Sequence, residues 1–349
     1  MPIAGVTTGV LNSCAWRVDG TVACWGTYAI GDGCNVPRPS PTAVPGLRDV
    51  VEVSIGITHT CARRRDGTVA CWGGNQNGQI GDGTTLNRLS PVDVPGITDA
   101  SSILAASDTT CALSPSGATR CWGSNLTAQV GDGSTSNRLS PVLVTGLTDA
   151  VALHGSVAHT CALRATGGIA CWGFNGYGQV GDGTDTIYRL TPTPVVGMSE
   201  RVTHFGVGGS ASFARRDDGR LFVWGLNSGP FLPSMPGVIS ILTPVELTEF
   251  GRVAGFNIVG GSIFAWRDDG SMLVAARNMY GEFGDGTASP RLTPTAAPHL
   301  AGMRIGRGTG AHVCALRDDG SVWCWGNNIH GQIGDGTTAS RLSPVRISL

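Results

Sequence analysis

The sequence repeats itself about every fifty residues, and this period restricts the possible folds more than any other feature. A Trp-Gly pair marks the same position in six units, at Trp25, Trp72, Trp122, Trp172, Trp224 and Trp325. In the remaining unit Ala275 occupies the position of the tryptophan. Successive steps are 47, 50, 50, 52, 51 and 50 residues. Repeats of this length stack so that each unit buries its apolar faces against its neighbours. Seven units fill all 349 residues and leave no space for a second domain.

Each unit carries the signals of four short β-strands. In the last unit, Asp318-Asp319-Gly320 separates two apolar runs, as in a three-residue hairpin. A β-branched run such as Val50–Thr60 precedes a hairpin of this kind, and a loop followed by a proline-containing strand such as Arg88–Val94 comes after it. Four strands at this period are typical of a propeller blade. We predict an all-β chain forming a single seven-bladed β-propeller with four-stranded antiparallel blades, at residues 1–46, 47–96, 97–146, 147–197, 198–248, 249–300 and 301–349.

Two segments carry a resemblance to a known family. GITHTCARRRDGTVACWGGNQNGQIGDGT and GAHVCALRDDGSVWCWGNNIHGQIGDGT resemble the repeat of the regulator of chromosome condensation family, and the pattern extends over essentially the whole chain. The resemblance implies a seven-bladed propeller, here of a bacterial type. Members of this family include a nucleotide-exchange factor for a small nuclear GTPase, a plant UV-B photoreceptor and a secreted bacterial β-lactamase inhibitor. Since one fold serves all of these, function has to be argued from the site.

Cysteines recur in pairs ten residues apart, on the two strands of each central hairpin. Folding the last hairpin about its turn places Cys314 opposite Cys324 at a non-hydrogen-bonded position, where Cα atoms lie about 4.5 Å apart and a disulfide is possible. Two units lose both cysteines together, to Phe213/Val223 and Phe264/Val274. We therefore predict the disulfides Cys14–Cys24, Cys61–Cys71, Cys111–Cys121, Cys161–Cys171 and Cys314–Cys324. Ten reduced, buried thiols are the alternative, and the spacing does not favour zinc.

The cysteine pattern also predicts the compartment. Disulfides persist in oxidising surroundings, so we expect a secreted, periplasmic or cell-surface protein. The segment MPIAGVTTGV lacks the charged and apolar regions of a signal peptide, and no apolar run is long enough to insert into a membrane. Cys34 has no partner at the repeat spacing and is predicted to be a surface free thiol, with a link to another chain as the sharper alternative.

Three further repeated features are interpreted as structural. Six Gly-Asp-Gly motifs are each followed by an arginine six or seven residues later, which predicts an ion pair in each loop; calcium on the aspartates is the alternative. His59, His159 and His312 lie two residues before a cysteine and are expected to be hydrogen-bonded at a strand end. The repeated tryptophans lie on the opposite strand face from the cysteines and should pack between blades.

Candidate binding residues lie where the long loops vary. The frame Trp-Gly-x-Asn-x-x-Gly recurs between units, whereas the two residues after its asparagine change and should be exposed. The chosen partner-binding residues are Gln76, Leu126, Tyr177, Met279, Tyr280, Ile329 and His330. Units five and six, at Leu226–Ser240 and Ala275–Phe283, also depart from the frame.

These observations favour a non-catalytic binding propeller that engages a protein or glycan through its loop-bearing end. The net charge of −1 argues against a nucleic-acid partner. No nucleophile, phosphate-binding or metalloprotease motif is present, and we expect no cofactor, no metal, no membrane insertion and a monomer. The alternatives are an enzyme that uses the central funnel and an intracellular GTPase regulator of the guanine-nucleotide exchange type.

Overall fold

The computed structural model describes residues 2–227 and 238–349. In these ranges the regular structure is β, apart from two short 3₁₀ turns at Thr248–Phe250 and Pro298–Leu300. The strands are β1 (Ile3–Thr8), β2 (Asn12–Arg17), β3 (Val22–Gly26), β4 (Arg38–Ala43), β5 (Val50–Ile55), β6 (His59–Arg64), β7 (Val69–Gly73), β8 (Arg88–Asp93), β9 (Ser102–Ala106), β10 (Thr109–Leu113), β11 (Thr119–Gly123), β12 (Arg138–Leu143), β13 (Ala150–Gly155), β14 (His159–Arg164), β15 (Ile169–Phe174), β16 (Tyr188–Pro194), β17 (Val202–Gly208), β18 (Ala211–Arg216), β19 (Leu221–Leu226), β20 (Ser240–Glu246), β21 (Gly255–Val259), β22 (Ser262–Trp266), β23 (Met272–Ala276), β24 (Arg291–Ala296), β25 (Met303–Ile305), β26 (Arg307–Gly308), β27 (His312–Arg317), β28 (Val322–Gly326) and β29 (Arg341–Ile347).

The strands form a single β-propeller with four-stranded antiparallel blades. Five sheets of four strands stand apart: β5–β8, β9–β12, β13–β16, β17–β20, and β25 with β27–β29. The other strands belong to one nine-stranded sheet of order β24-β23-β22-β21-β26-β1-β2-β3-β4. The prediction of seven separate blades is therefore wrong as a count of hydrogen-bonded sheets. The physical reason is the two-residue strand β26, which pairs in parallel with both β1 and β21 and joins their sheets.

The central hairpin of each blade has the predicted register. Cys111 pairs with Cys121, and Cys314 with Cys324. In the last blade the Gly320 amide donates to the Arg317 carbonyl at 2.9 Å, and Gly320 has φ +79°. A left-handed residue at this point lets a three-residue turn follow the twist of its strands, which explains the recurring glycine.

Neighbouring blades share an apolar core built from the two faces of their strands. One such core contains Cys61 and Cys71 of one blade and Trp122 of the next, all at most 1% exposed. Because side chains alternate across a strand, the cysteines face one neighbour and the tryptophan faces the other. Val6, Trp25, Cys314 and Ile333 form the equivalent core where the two ends of the chain meet.

A hydrogen bond fixes each buried tryptophan to the preceding blade. The indole of Trp122 donates to the Gln79 carbonyl at 3.0 Å, and the indole of Trp25 donates to the Gln332 carbonyl at 2.9 Å across the closure of the chain. The other indoles make the same bond, from Trp72 to Ala29, from Trp172 to Gln129, from Trp224 to Gln179 and from Trp325 to Glu282. Packing between blades was predicted from the sequence; this bond was not.

The first glycine of each Gly-Asp-Gly motif makes space for the tryptophan of the next blade. A Cβ atom at Gly131 would lie 2.5 Å from the Trp172 Nε1 atom, whereas one at Gly133 would meet nothing within 4 Å. Both glycines have left-handed backbones, with φ +78° and +88°. The motif therefore uses one glycine for close packing and the other for its backbone conformation alone.

This difference gives a matched test within one loop. We expect Gly133→Ala to lower the free energy of unfolding by about 1 kcal/mol, the cost of placing a side chain in left-handed backbone. Gly131→Ala carries the same backbone cost and also forces Cβ into the indole, so the loss should reach about 3 kcal/mol. Urea unfolding of both variants measures the difference, and equal losses would contradict the packing role of Gly131.

Candidate functional site

The long loops gather at one end of the propeller. Each inner strand runs toward this end, turns into the second strand, and the third strand returns to it before the long loop begins. We call this the loop-bearing end. The opposite end carries the central-hairpin turns and the connections between blades, and we call it the hairpin end. Ile3, where β1 begins, lies at the hairpin end because β1 leads to the first inner turn.

A buried asparagine holds each regular loop in shape. The Asn75 side-chain amide donates to the carbonyls of Thr84 and Leu86 at 3.0 and 3.1 Å, while its oxygen accepts the Ile80 amide at 2.9 Å. Asn75 is completely buried. A side chain that satisfies several loop backbone groups replaces the hydrogen bonds that a sheet would supply. This explains the constant Asn of the frame, a role that the sequence pattern alone does not specify.

The predicted Asp–Arg pairs are present in six loops. The N···O distances are 2.7 Å for Asp32–Arg38, 2.6 Å for Asp82–Arg88, 2.5 Å for Asp132–Arg138 and Asp182–Arg189, 2.8 Å for Asp285–Arg291 and 2.6 Å for Asp335–Arg341. Burial opposes ionisation of Asp82, but hydrogen bonds from Thr84 and Arg88 outweigh it and lower the pKa of this carboxyl. The pairs tie each loop to the outer strand that follows it.

The predicted partner-binding residues all lie at the loop-bearing end. Leu126, Met279 and Ile329 are 66%, 67% and 60% exposed. Gln76, Tyr177 and Tyr280 are exposed and His330 is half-buried. The second variable residue of a unit can also contact the neighbouring loop, as when the Asn77 side chain accepts a hydrogen bond at 3.1 Å from Asn137 of the next unit.

Several exposed apolar residues at this end were not among the predicted binding residues, and Tyr28 and Val157 are two of them. Tyr28, 55% exposed, lies in the first loop, which lacks the constant asparagine and takes a different backbone path, with φ 60° at this residue. Val157, 58% exposed, lies on an inner turn. The break in the frame could have signalled Tyr28; no pattern marks Val157. Of the divergent unit-five segment, residues 228–237 lie outside the described part of the chain.

The five cysteine pairs face one another in the structure and are joined as disulfides. Their Cα atoms are 4.0–4.1 Å apart, slightly closer than the sequence geometry indicated, and their Sγ atoms are 2.06–2.11 Å apart. The ten paired cysteines are at most 1% exposed, whereas Cys34 is exposed and has no sulfur partner. The units with Phe213/Val223 and Phe264/Val274 fill the same positions with buried apolar side chains.

Thiol counting tests this arrangement. In native, unreduced protein we expect iodoacetamide to modify one cysteine, Cys34, because the others are paired and buried. After denaturation and reduction all 11 cysteines should react. Intact mass spectrometry counts the added groups. Modification of 11 cysteines in denatured protein that was never reduced would contradict the disulfides.

The three repeated histidines take part in hydrogen bonds between blades. Nε2 of His59 lies 2.8 Å from the Thr110 hydroxyl, which itself donates to the Gln79 carbonyl that receives the Trp122 indole. His159 meets Ser212 at 2.8 Å and His312 meets Ser13 at 2.7 Å in the same way. Each hydroxyl donates its one hydrogen bond to a carbonyl and can only accept from the histidine. Nε2 is therefore the protonated ring nitrogen and donates to the hydroxyl.

Protonation of these rings is therefore unfavourable. Burial lowers the pKa of His59 and His159 to about 4 and that of His312 to about 3. The Nδ1 atom of His312 has no hydrogen-bond partner, so a second ring proton on His312 would be buried without an acceptor. These histidines are structural parts of the blade contacts, as the sequence interpretation proposed.

The histidines predict loss of stability in mild acid. Their native pKa values are below the ordinary value of 6.5, so the unfolded chain binds protons first as the pH falls. Stability should be unaffected above pH 6.5 and decline from there towards pH 4, by on the order of 3 kcal/mol for each buried ring. The triple variant His59→Asn, His159→Asn, His312→Asn, which copies Asn12 of the first unit, should flatten this decline. Urea unfolding at a series of pH values measures it, and an unchanged slope in the variant would contradict the assignment.

A channel runs between the inner strands. Its cavity of about 90 Å³ is lined by one or more residues from each of β1, β5, β9, β13, β17, β21 and β26. Arg307, His154 and Glu52 are its ionisable residues. The His154 ring packs edge-on against Phe205 with ring centres 4.7 Å apart. A second cavity, of about 410 Å³, opens at the loop-bearing end beside Met279 and Tyr280.

Residues 2–227 and 238–349 contain no group of three or more His, Cys, Asp or Glu side chains placed to hold a metal ion. They also contain no helix long and apolar enough to cross a membrane.

Comparison with known families finds repeats of the kind the sequence pattern indicates. Two profiles described as regulator of chromosome condensation (RCC1) repeat match the chain, one at residues 50–79 and 309–332 and the other at 66–113 and 166–215. These matches support the RCC1 family. They fall on repeats that carry the Cys-Trp-Gly hairpin and the Gly-Asp-Gly loop. No curated protein matches the chain in sequence.

Solved RCC1 structures have the same fold. Yeast RCC1 (Prp20), in its complex with Kap60, is 21% identical with a TM-score of 0.82, covering 96% of this chain and 85% of the other. A second Prp20p structure, from Saccharomyces cerevisiae, is also 21% identical, with a TM-score of 0.81 and coverage of 96% and 87%. Human WBSCR16 is 20% identical, with a TM-score of 0.64 and coverage of 99% and 82%. At these identities the likeness concerns the fold.

Proposed function

We propose that this chain is a non-catalytic binding propeller that engages another protein through its loop-bearing end. The observation that carries the proposal is the exposure of Leu126, Met279 and Ile329, each more than half exposed, at loop positions that the blade structure leaves free to vary. Apolar side chains held out by well-ordered loops are costly to solvate and favourable to bury against a partner. Aliphatic tips offer no hydrogen bonds to hydroxyl groups, so a protein fits this end better than a glycan.

The distribution of charge distinguishes the two ends. Apart from the six paired aspartates, the described loops and inner turns of the loop-bearing end carry four charged residues, Asp108, Asp185, Arg277 and Glu282. The turns and blade connections of the hairpin end carry nineteen, namely Asp19, Arg48, Asp49, Arg65, Asp66, Asp99, Asp149, Glu200, Arg201, Asp217, Asp218, Arg220, Glu249, Arg252, Arg267, Asp268, Asp269, Asp318 and Asp319. Interface cores are depleted of charge, so the loop-bearing end is the better candidate.

The structural relatives support a protein as the class of partner. Yeast RCC1 was crystallised bound to Kap60, and the Prp20p study concerns its binding to Gsp1p and histones. Such binding belongs to those proteins. For this chain they support a protein as the class of partner, and the partner itself is left to the experiment below.

We further propose that the blades form a ring of seven. The nine-stranded sheet contains two antiparallel four-strand units, β1–β4 and β21–β24, linked through the short strand β26. Counting these as two blades gives seven, with the boundaries predicted from the sequence. A closed ring buries its blade faces internally, which is consistent with a monomer.

The cysteine pairs support an oxidising location. Five disulfides in one chain would be exposed to reduction in a cytosol, so we propose an exported, bacterial-type protein that acts in the periplasm, at the cell surface or in the medium.

An oriented capture experiment tests the binding surface. The 24 basic residues are all arginine, so the α-amino group is the sole primary amine of protein produced from this sequence. Biotin attached there leaves the loop-bearing end free, because β1 begins at the hairpin end. We expect the immobilised chain to capture a partner from the exported proteins of the source organism. The affinity of the purified partner for the triple variant Leu126→Ser/Met279→Ser/Ile329→Ser should be about 100-fold or more weaker than for the unmodified chain.

A matched control separates a specific surface from general loss of apolar contacts. Val18→Ser/Val151→Ser removes side chains that are 58% and 53% exposed at or near the hairpin end. This variant should bind the partner as the unmodified protein does. If both variants bind the partner equally, or if only the control loses binding, the loop-bearing end is not the protein-binding surface. If capture depends on added oligosaccharide, the ligand is a glycan instead.

A further inference from the structure

Arg307 lies in the central channel at a position fixed by two neighbouring strands. Its two-residue strand β26 pairs with β1 at Thr7 and Thr8 and with β21 at Val259. The Thr7 hydroxyl also donates to the Arg307 carbonyl at 3.3 Å. The side chain is surrounded by the channel walls and is still open to water within the channel. A cation held on such a rigid backbone is well placed to bind a ligand.

The guanidinium of Arg307 has no anionic partner in the described chain. In residues 2–227 and 238–349, no Asp or Glu oxygen lies within ion-pair distance of it, whereas twelve other arginines form thirteen ion pairs. The carboxylate of the channel, Glu52, is occupied by Arg63 at 2.9 Å and by the Ser102 hydroxyl at 2.9 Å. Partial burial in the channel lowers the pKa of Arg307, with the charge of Glu52 opposing the shift, and the side chain keeps contact with water.

Two more groups in the same cavity can complete a site. Thr8 is 1% exposed and its buried hydroxyl has no hydrogen-bond partner in the structure, which is costly unless a ligand or water supplies one. His154 is kept neutral, since burial and the charge of Arg307 lower its pKa, so its ring can donate one hydrogen bond without adding charge.

We propose that Arg307, with Thr8 and His154, forms a binding site for a small oxyanion, a carboxylate or a phosphate, in the central channel. The planar guanidinium donates two parallel N–H bonds to such a group. The cavity of about 90 Å³ has room for a small anion with little more than its bridging waters. Access is from the loop-bearing end, because Val207, Gly308 and Thr309 line both this cavity and the wider one at that mouth. The site is distinct from the proposed protein-binding surface and does not depend on it.

The test compares two arginines of the same blade. Arg304 is three residues away, its side chain is 70% exposed, and it does not line the channel, so Arg304→Gln is the matched control for Arg307→Gln. Sodium acetate and sodium phosphate are titrated separately into the full chain at constant ionic strength balanced with sodium chloride, with melting temperature and titration heat as readouts. The anion whose binding saturates at the lower concentration, acetate or phosphate, is the class of ligand that the site prefers.

We expect a saturable rise in melting temperature for the unmodified chain and for Arg304→Gln, and an apparent affinity about tenfold or more weaker for Arg307→Gln. Thr8→Val, which keeps the shape of the side chain and leaves Arg307 in place, should also weaken binding and serves if Arg307→Gln does not fold. Equal responses of all variants, or no response of the unmodified chain to either anion, would overturn the proposal.

Discussion

The contact between adjacent blades is the constraint on which the rest of the structure depends. A blade is a twisted four-stranded sheet with two apolar faces, and neither face can be left in water. Here one face carries the cysteine pair and the other the tryptophan, so each disulfide packs against the indole of the next blade. The indole also donates to a carbonyl of the preceding loop, as Trp122 does to Gln79, which removes the cost of burying its N–H group. The contact fixes both the distance between blades and the shape of the loops.

The loops remain rigid for the same reason. Their glycines allow the close approach of the next tryptophan, the asparagine satisfies their backbone, and the Asp–Arg pair attaches them to the outer strand. Almost every constant residue of the loop is therefore committed to structure. The variable loop positions are exposed and make no contact that the fold requires. Residues such as Leu126 and Met279 can therefore differ between units without destabilising the blades.

The sequence predicted much of this because the signals were local and repeated. The hairpin turn, the register that faces Cys314 with Cys324, and the Asp–Arg spacing all depend on residues close together in one unit. A cysteine spacing in one unit is weak evidence for a contact. Because five units carry both cysteines and two units lack both, the repeats together indicate that the paired cysteines are in contact. Tyr28 was missed because its loop breaks the frame, and Val157 because a single exposed residue on a short turn has no pattern.

By itself, the sequence determined the repeat, the four strands of each unit, the cysteine pairing and the positions where side chains are free to be exposed. Only the tertiary structure decided how the units meet. Bonds such as those from Trp25 to Gln332 and from His312 to Ser13 join residues about three hundred positions apart, which no local pattern encodes. The parallel pairing of β26 with β1 and β21, and the place of Arg307 beside His154 in the channel, likewise arise only when the chain closes on itself, because each depends on strands from different units converging on one axis.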